Sequence, residues 1–268
     1  MTLLVEGLSV DRAGRRLVDD VGFGAARGRL LAVVGPNGAG KTTLLAAIAG
    51  LTAATKGRVQ LGETVLTGQP ARRLAGIRAM MAQHFDCAFA YLVRDIVALG
   101  RMAHAGTARV ANDAAAISAA LAAADIAHFA GRVVTTLSGG ERQRVAFAKA
   151  HAQLHEKICG GESAMLLLDE PTASLDPEHQ HRMLVEARRI AGGGAVVVVT
   201  LHDLALASLY ADDVLVLDKG RIAGHGPVAE VLTEALVRRI FRIRVGTTRT
   251  AGGRTILHQL DQSQEEAA

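Results

Sequence analysis

The sequence predicts an α/β domain with a parallel sheet at its core, a smaller antiparallel sheet beside it and an inserted helical subdomain. Three observations carry that prediction. The runs Leu30 to Val34, Met165 to Leu168 and Ala195 to Val199 are short and continuously apolar, as strands buried on both faces are. The first of them leads directly into a Gly-rich turn and then a helical stretch. Between about Phe85 and Thr136 the strand-like runs give way to Ala-rich helical sequence, after which the earlier pattern resumes.

Taken in order, Leu3 to Phe23 reads as two strand pieces around Ala13-Gly14, and Val59 to Leu66 turns at Gly62, which gives the antiparallel sheet. The helical subdomain occupies about residues 85–155. Val214 to Leu217 and Arg221 to Ala223 flank Asp218-Lys219-Gly220 and read as a hairpin. After about Leu257 the chain turns polar and is expected to fray. The expectation is one domain over residues 1–257 and a polar tail over 258–268.

With 268 residues, 50% hydrophobic and 21% charged, the chain has ample material for a core. Aromatics at 3% and the absence of Trp argue against a stacking platform for single-stranded nucleic acid. The net charge of +4 and the six arginines between Arg238 and Arg254 read as a solvated helix face and tail, so no nucleic-acid partner is expected. No apolar run reaches the roughly 18 residues of a membrane helix; the longest Ala-rich stretch, Ala114 to Ala124, is closed by Asp113 and Asp125. Glu6 and strand-like alternation stand where a signal peptide would have basic and then apolar residues, so the chain is expected in the cytosol. Cys87 and Cys159 are isolated in sequence and fit a reducing compartment.

The strand Leu30 to Val34 enters Gly35-Pro36-Asn37-Gly38-Ala39-Gly40-Lys41-Thr42-Thr43, followed by the helical Leu44-Leu45-Ala46-Ala47-Ile48. This is the phosphate-loop pattern in its strand-to-helix context. Glycines let successive N–H groups curl around an anion, and the helix start adds partial positive charge. Lys41 supplies a point charge for the β and γ phosphates, and Thr42 a hydroxyl for Mg²⁺. The fold expected is therefore a P-loop NTPase, and the ligand a nucleotide.

Leu166-Leu167-Leu168-Asp169-Glu170 puts two acids at the end of a buried strand. Carboxylates in that position are costly unless a cation or hydrogen bonds compensate. Mg²⁺ would compensate Asp169, leaving Glu170 to orient or deprotonate the attacking water. A strand ending in Asp-Glu before Pro171 is also compatible with a simple turn; the phosphate loop upstream favours the catalytic reading.

Leu137-Ser138-Gly139-Gly140-Glu141-Arg142-Gln143-Arg144 heads another helical stretch. Ser138 and Glu141 form a capping box, a sufficient structural reason for both. The Gly pair is left over, because glycine weakens the first helical turn but allows a ligand close to the backbone.

At this point the sequence resembles the ATP-binding-cassette ATPases along nearly its whole length. The phosphate loop at Gly35 to Thr43, Gln83, the Leu-Ser-Gly-Gly-Glu signature, Asp169-Glu170, Ser174-Leu175-Asp176 and His202 occur in the family's order and rough spacing. The resemblance implies a RecA-like parallel core and a head-to-tail homodimer in which the phosphate loop of one copy and Ser138, Gly139, Gly140 and Glu141 of the other enclose each ATP. It further implies that Gln83 touches Mg²⁺ and the attacking water and reports to a transmembrane partner. Asp176 would cross the dimer interface and His202 contact the γ-phosphate. On residue chemistry alone these three are ordinary polar residues. The family often stacks an aromatic residue on adenine near the end of the first strand; the matching place here is about Arg12, whose guanidinium plane also stacks on a base.

Phe89-Ala90-Tyr91-Leu92-Val93-Arg94-Asp95-Ile96-Val97-Ala98-Leu99-Gly100-Arg101 resembles the corresponding stretch of siderophore, vitamin B12 and haem importer ATPases, which follows the glutamine loop and meets the membrane partner. An additional segment, His155 to Ser163, lengthens the interval before Asp169 and resembles the haem importers. The resemblance thus implies a motor for haem import, peripheral on the cytoplasmic face of the bacterial inner membrane. It would work with two permease copies and, through them, a periplasmic substrate-binding protein. A siderophore or vitamin B12 importer is the alternative, and a non-transport cassette such as an iron–sulfur scaffold the runner-up. His151, His155 and Cys159, spaced four apart, are read as structural rather than as metal or haem ligands, and His179 and His181 as surface residues.

Overall fold

In the computed structural model, residues 2–85, 87–250 and 253–260 are described. Strands β1 (Thr2–Arg12), β2 (Arg15–Ala26), β3 (Leu30–Val34), β4 (Lys56–Leu61), β5 (Thr64–Val65), β6 (Arg78–Met81), β7 (Met165–Leu168), β8 (Val196–Thr200), β9 (Asp213–Asp218) and β10 (Arg221–Pro227) form two sheets. The larger has the order β10-β9-β3-β8-β7-β6, with β10 antiparallel to β9 and the other neighbours parallel. Every residue of β3, β7 and β8 is buried, which is why their sequences lack alternation. The smaller sheet, β2-β1-β4-β5, is antiparallel. Its β1–β2 turn uses Ala13 and Gly14 at φ 49° and 74°, the positive pair that matches strand twist in a tight hairpin.

Side chains of β3 alternate between two cores. Leu31 and Val33 meet the antiparallel sheet through Leu3, Val5, Leu8 and Val18, while Leu30, Ala32 and Val34 face the helical side. The helices are α1 (Lys41–Ile48), α2 (Ala71–Ala75), α3 (Val93–Leu99), α4 (Asp113–Ala123), α5 (Gly139–Gly160), α6 (Pro177–Gly192), α7 (Leu204–Tyr210), α8 (Val228–Val231) and α9 (Glu234–Phe241). In the helical subdomain, small residues such as Ala120 of α4 and Ala148 of α5 let the helices approach, with Val93, Ile96, Val97, Leu121 and Phe147 filling the space between. No described helix is long and apolar enough to cross a membrane.

The added segment after Leu154 is for the most part helix. α5 runs on to Gly160 and stops at Gly161, which takes the left-handed conformation at φ 61°. Its Glu156 grips the buried Arg101, whose guanidinium also donates to Asp113 Oδ1 at 2.8 Å and to the Ala152 carbonyl at 2.7 Å. His151 is buried, with Nε2 3.6 Å from Glu186 Oε1, whereas Cys159 is exposed beside His155. Among the described residues no group of three His, Cys, Asp or Glu is placed to hold a metal.

Several boundaries differ from expectation. β6 was not expected, and the strand placed at Ala195 begins one residue later. β11 (Val245–Arg249) and β12 (Thr255–Gln259) pair antiparallel, so order continues two residues past Leu257; residues 261–268 of the expected tail lie outside the described residues. The basic run is partly structural too: Arg254 donates to the Leu209 carbonyl at 2.9 Å and to Asp212 Oδ1 at 3.1 Å.

Candidate active site

The phosphate loop joins the C-terminal end of β3 to α1. Gly40 sits at φ 100° at the start of α1, and a Cβ there would lie 2.5 Å from the Leu17 carbonyl oxygen. A Cβ on Gly35 would lie 2.1 Å from that of Leu217, so backbone approach excludes a side chain at both. α1 has no side-chain cap and no acid in its first turn, which leaves its N–H groups and positive end available to an anion. Lys41, 5% exposed, donates from Nζ to the Gly35 carbonyl at 2.8 Å and the Pro36 carbonyl at 3.2 Å. Burial pulls its ammonium below the usual lysine value, while the nearby charges of Glu170 and Asp169 act in the opposite direction.

At the end of β7, Asp169 is fully buried, its N–H donating to the Met81 carbonyl at 2.9 Å. Oδ1 accepts from the Thr200 hydroxyl at 2.7 Å, and Oδ2 finds no hydrogen-bond partner. Burial raises its pKa above the usual aspartate value, and the Thr200 and Thr42 hydroxyls only partly oppose this. An unpartnered, buried carboxylate oxygen beside a threonine hydroxyl has the chemistry of a hard-cation site.

Glu170 adopts φ 49°, unusual for a residue with a side chain. Its N–H donates to Thr200 Oγ1 at 2.7 Å, and its carbonyl accepts from Gln143 Nε2 at 3.0 Å. Its carboxylate is gripped from both sides: Oε2 accepts from Gln83 Nε2 at 2.6 Å, and Oε1 meets His202 Nε2. Gln83, Glu170 and His202 thereby converge on the loop residues Asn37 to Thr43, lining one cleft of about 580 Å³. A carboxylate fixed at the mouth of an anion cradle is placed to receive a proton from water attacking a phosphate.

Ser138, Gly139, Gly140, Glu141 and Asp176 line a second cleft, of about 390 Å³, which shares no residue with the first. The capping box is formed: Glu141 N–H donates to Ser138 Oγ at 3.2 Å, and Ser138 N–H to Glu141 Oε2 at 2.6 Å. The glycines differ. A Cβ at Gly140 would meet the Ser174 carbonyl oxygen at 2.7 Å, whereas at Gly139 it would make ordinary contact. Arg12 lines neither cleft; it is exposed at the hairpin tip, and from this hairpin Leu17 borders the loop instead. The sequence did not single out Thr200 of β8, which donates to the Asp169 carboxylate, or Gln143 of α5, which holds the Glu170 backbone carbonyl. Their types carry no signal without the strand pairing that brings them there.

A family model described as ABC transporter matches residues 18–173. The chain belongs to the ABC transporter family. Within it, the hemin import ATP-binding protein HmuV of Nocardia farcinica is 46% identical over 247 residues, 90% of this chain and 83% of that protein. The protein of the same name from Rhodopseudomonas palustris strain CGA009 is 41% identical over 267 residues, covering 99% and 98%. A solved structure described as a metal-chelate type ABC transporter in an inward-facing conformation superposes with a TM-score of 0.77 at 28% identity, over 97% of this chain and 98% of the other. The fold is that of the P-loop ATPases of this family, and the chain is an ATP-binding, ATP-hydrolysing transporter subunit.

Proposed function

We propose that this chain powers haem import across the bacterial inner membrane, as a peripheral homodimer on the cytoplasmic face bound to two permease copies. A periplasmic substrate-binding protein would deliver cargo to the permease. The observation that carries the motor reading is the Glu170 carboxylate held between Gln83 and His202 at the phosphate loop. The haem cargo is supported by the relatives named for hemin import, which match this chain at 40–46% identity.

In this reading the loop N–H groups between Asn37 and Thr43 and the Lys41 ammonium bind the β and γ phosphates. Asp169 and Thr42, with Gln83, would hold Mg²⁺, which neutralises phosphate charge when bound; the unpartnered Oδ2 of Asp169 fits that duty. Glu170 orients the attacking water and takes its proton, while His202 reaches the γ-phosphate. The disjoint clefts give the homodimer its reason: Ser138 to Glu141 of a second copy would close over the nucleotide, and Asp176 would cross between copies. The base contact would fall nearer Leu17, which lines the cleft, than Arg12, which does not. Gln83 then couples the site to the permease.

The test is reconstitution of the chain with its permease and binding protein in liposomes, followed by phosphate release with haem, a ferric siderophore or cobalamin as cargo. Stimulation by haem alone is expected. Stimulation by one of the other two would reassign the cargo, and none by any of them from an intact complex would end the importer reading.

A further inference from the structure

His179 stands in the first turn of α6, and its two ring nitrogens face carboxylates from different parts of the molecule. Nδ1 lies 2.8 and 2.9 Å from the two carboxylate oxygens of Asp176, and Nε2 lies 4.0 Å from Asp125 Oδ2. Asp176 also caps α6 by accepting the His179 N–H at 2.9 Å. Asp125 closes α4 in the helical subdomain at φ 54°. Its carbonyl accepts from Arg144 of α5 at 2.8 Å, and its carboxylate from Arg182 of α6 at 2.7 Å; Arg182 is shared with Glu178. The ring is thus no loose surface group: its side chain is 24% exposed and it lines the signature cleft.

Since both Asp176 oxygens are acceptors, Nδ1 carries a proton whether the ring is neutral or charged. Nε2 faces the Asp125 carboxylate at 4.0 Å, an ion-pair rather than a hydrogen-bond separation. The His179 N–H and ring together hold the Asp176 carboxyl below the usual aspartate value.

We propose that His179 is a positioning residue for ATP hydrolysis: it fixes the Asp176 carboxylate and ties it to the Asp125 turn, so that the Asp176 segment moves with the helical subdomain. This rests on the reading that Asp176 acts at the dimer interface. It adds a link, inside one copy, between that interface and the subdomain that carries the permease-facing stretch.

The experiment compares ATPase activity of the permease-bound complex carrying His179→Ala or His179→Asn with that of the wild type. His179→Ala is expected to lower kcat roughly tenfold, the scale of one lost charge-assisted hydrogen bond, with KM for ATP little changed. His179→Asn, whose amide nitrogen replaces Nδ1, should recover most of the loss. Because it lacks the reach to Asp125, it should remain below the wild-type kcat. Wild-type kcat in a folded His179→Ala complex, or no recovery in His179→Asn, would each overturn the inference. Should His179→Ala fail to fold, His179→Leu takes its place in the comparison. ATP-driven dimerisation of a Glu170→Gln chain separates the two levels: its absence removes the underlying reading, whereas its presence alongside an unaffected His179→Ala kcat removes only the role of His179.

Discussion

Glu170 concentrates the chemistry of the molecule in one side chain, and its surroundings define what each substitution should do. Glu170→Gln keeps the shape between Gln83 and His202 but removes the carboxylate proposed as the base. Hydrolysis should fall about 10²- to 10⁴-fold in single-turnover assays, with ATP affinity unchanged in nucleotide titration. Undiminished phosphate release would remove the assigned role. The two signature glycines give a second prediction. Gly140→Ala puts a methyl 2.7 Å from the Ser174 carbonyl oxygen and should cost about 1–3 kcal/mol in denaturant unfolding, whereas Gly139→Ala has room and should unfold like the wild type. Equal stabilities would show that the Ser174 segment yields without cost.

At the scale of elements, α5 joins the signature to the helical subdomain. Its N-terminal capping box depends on a charged Glu141, whose pKa is pulled below the usual 4.5 first by the Ser138 N–H. The unfolded chain therefore binds more protons across that interval, so stability rises with pH there and is lost as pH falls through the folded value. The difference in melting temperature between wild type and Glu141→Gln should shrink as pH drops below 4.5; a difference that holds constant would exclude a contribution from the carboxylate charge. At the other end, Arg101 is nearly inaccessible and joined to Glu156 and Asp113. Arg101→Met leaves the half-buried Glu156 carboxylate without its partner and should destabilise the domain by about 1–3 kcal/mol in denaturant titration. This gives Glu156, after Leu154, a structural duty, since it fastens Arg101 between the exposed Tyr91 and Met102.

For the whole molecule, the phosphate and signature clefts share no residue, and in the proposed head-to-tail homodimer each would be completed by the other copy. With ATP and Mg²⁺, Glu170→Gln should therefore sediment as a dimer, and chelation of the metal should return it to monomers. A persistent monomer at saturating ATP would contradict the head-to-tail assembly. The two cores, one on each face of the parallel sheet, hold the loop and the β7 carboxylates in register: β3, β8 and β7 are adjacent, so Thr200 stands beside Asp169 and Glu170.

What the sequence determined by itself were the features set by local chemistry. The phosphate loop, the Asp169-Glu170 strand end and the Ser138–Glu141 box each lie within nine consecutive residues, and runs buried on both faces declare themselves by unbroken apolarity. The tertiary structure decided whatever depends on a distant neighbour. Arg78-Ala-Met-Met becomes β6 because β7 offers an edge to pair with, although the segment lacks both alternation and branched side chains. Leu17 rather than Arg12 borders the loop because the hairpin register turns it there, and His179 finds Asp125 only across the packing of α6 on the end of α4. Contacts between residues far apart in the chain follow from pairing and packing geometry, which no short stretch of sequence encodes.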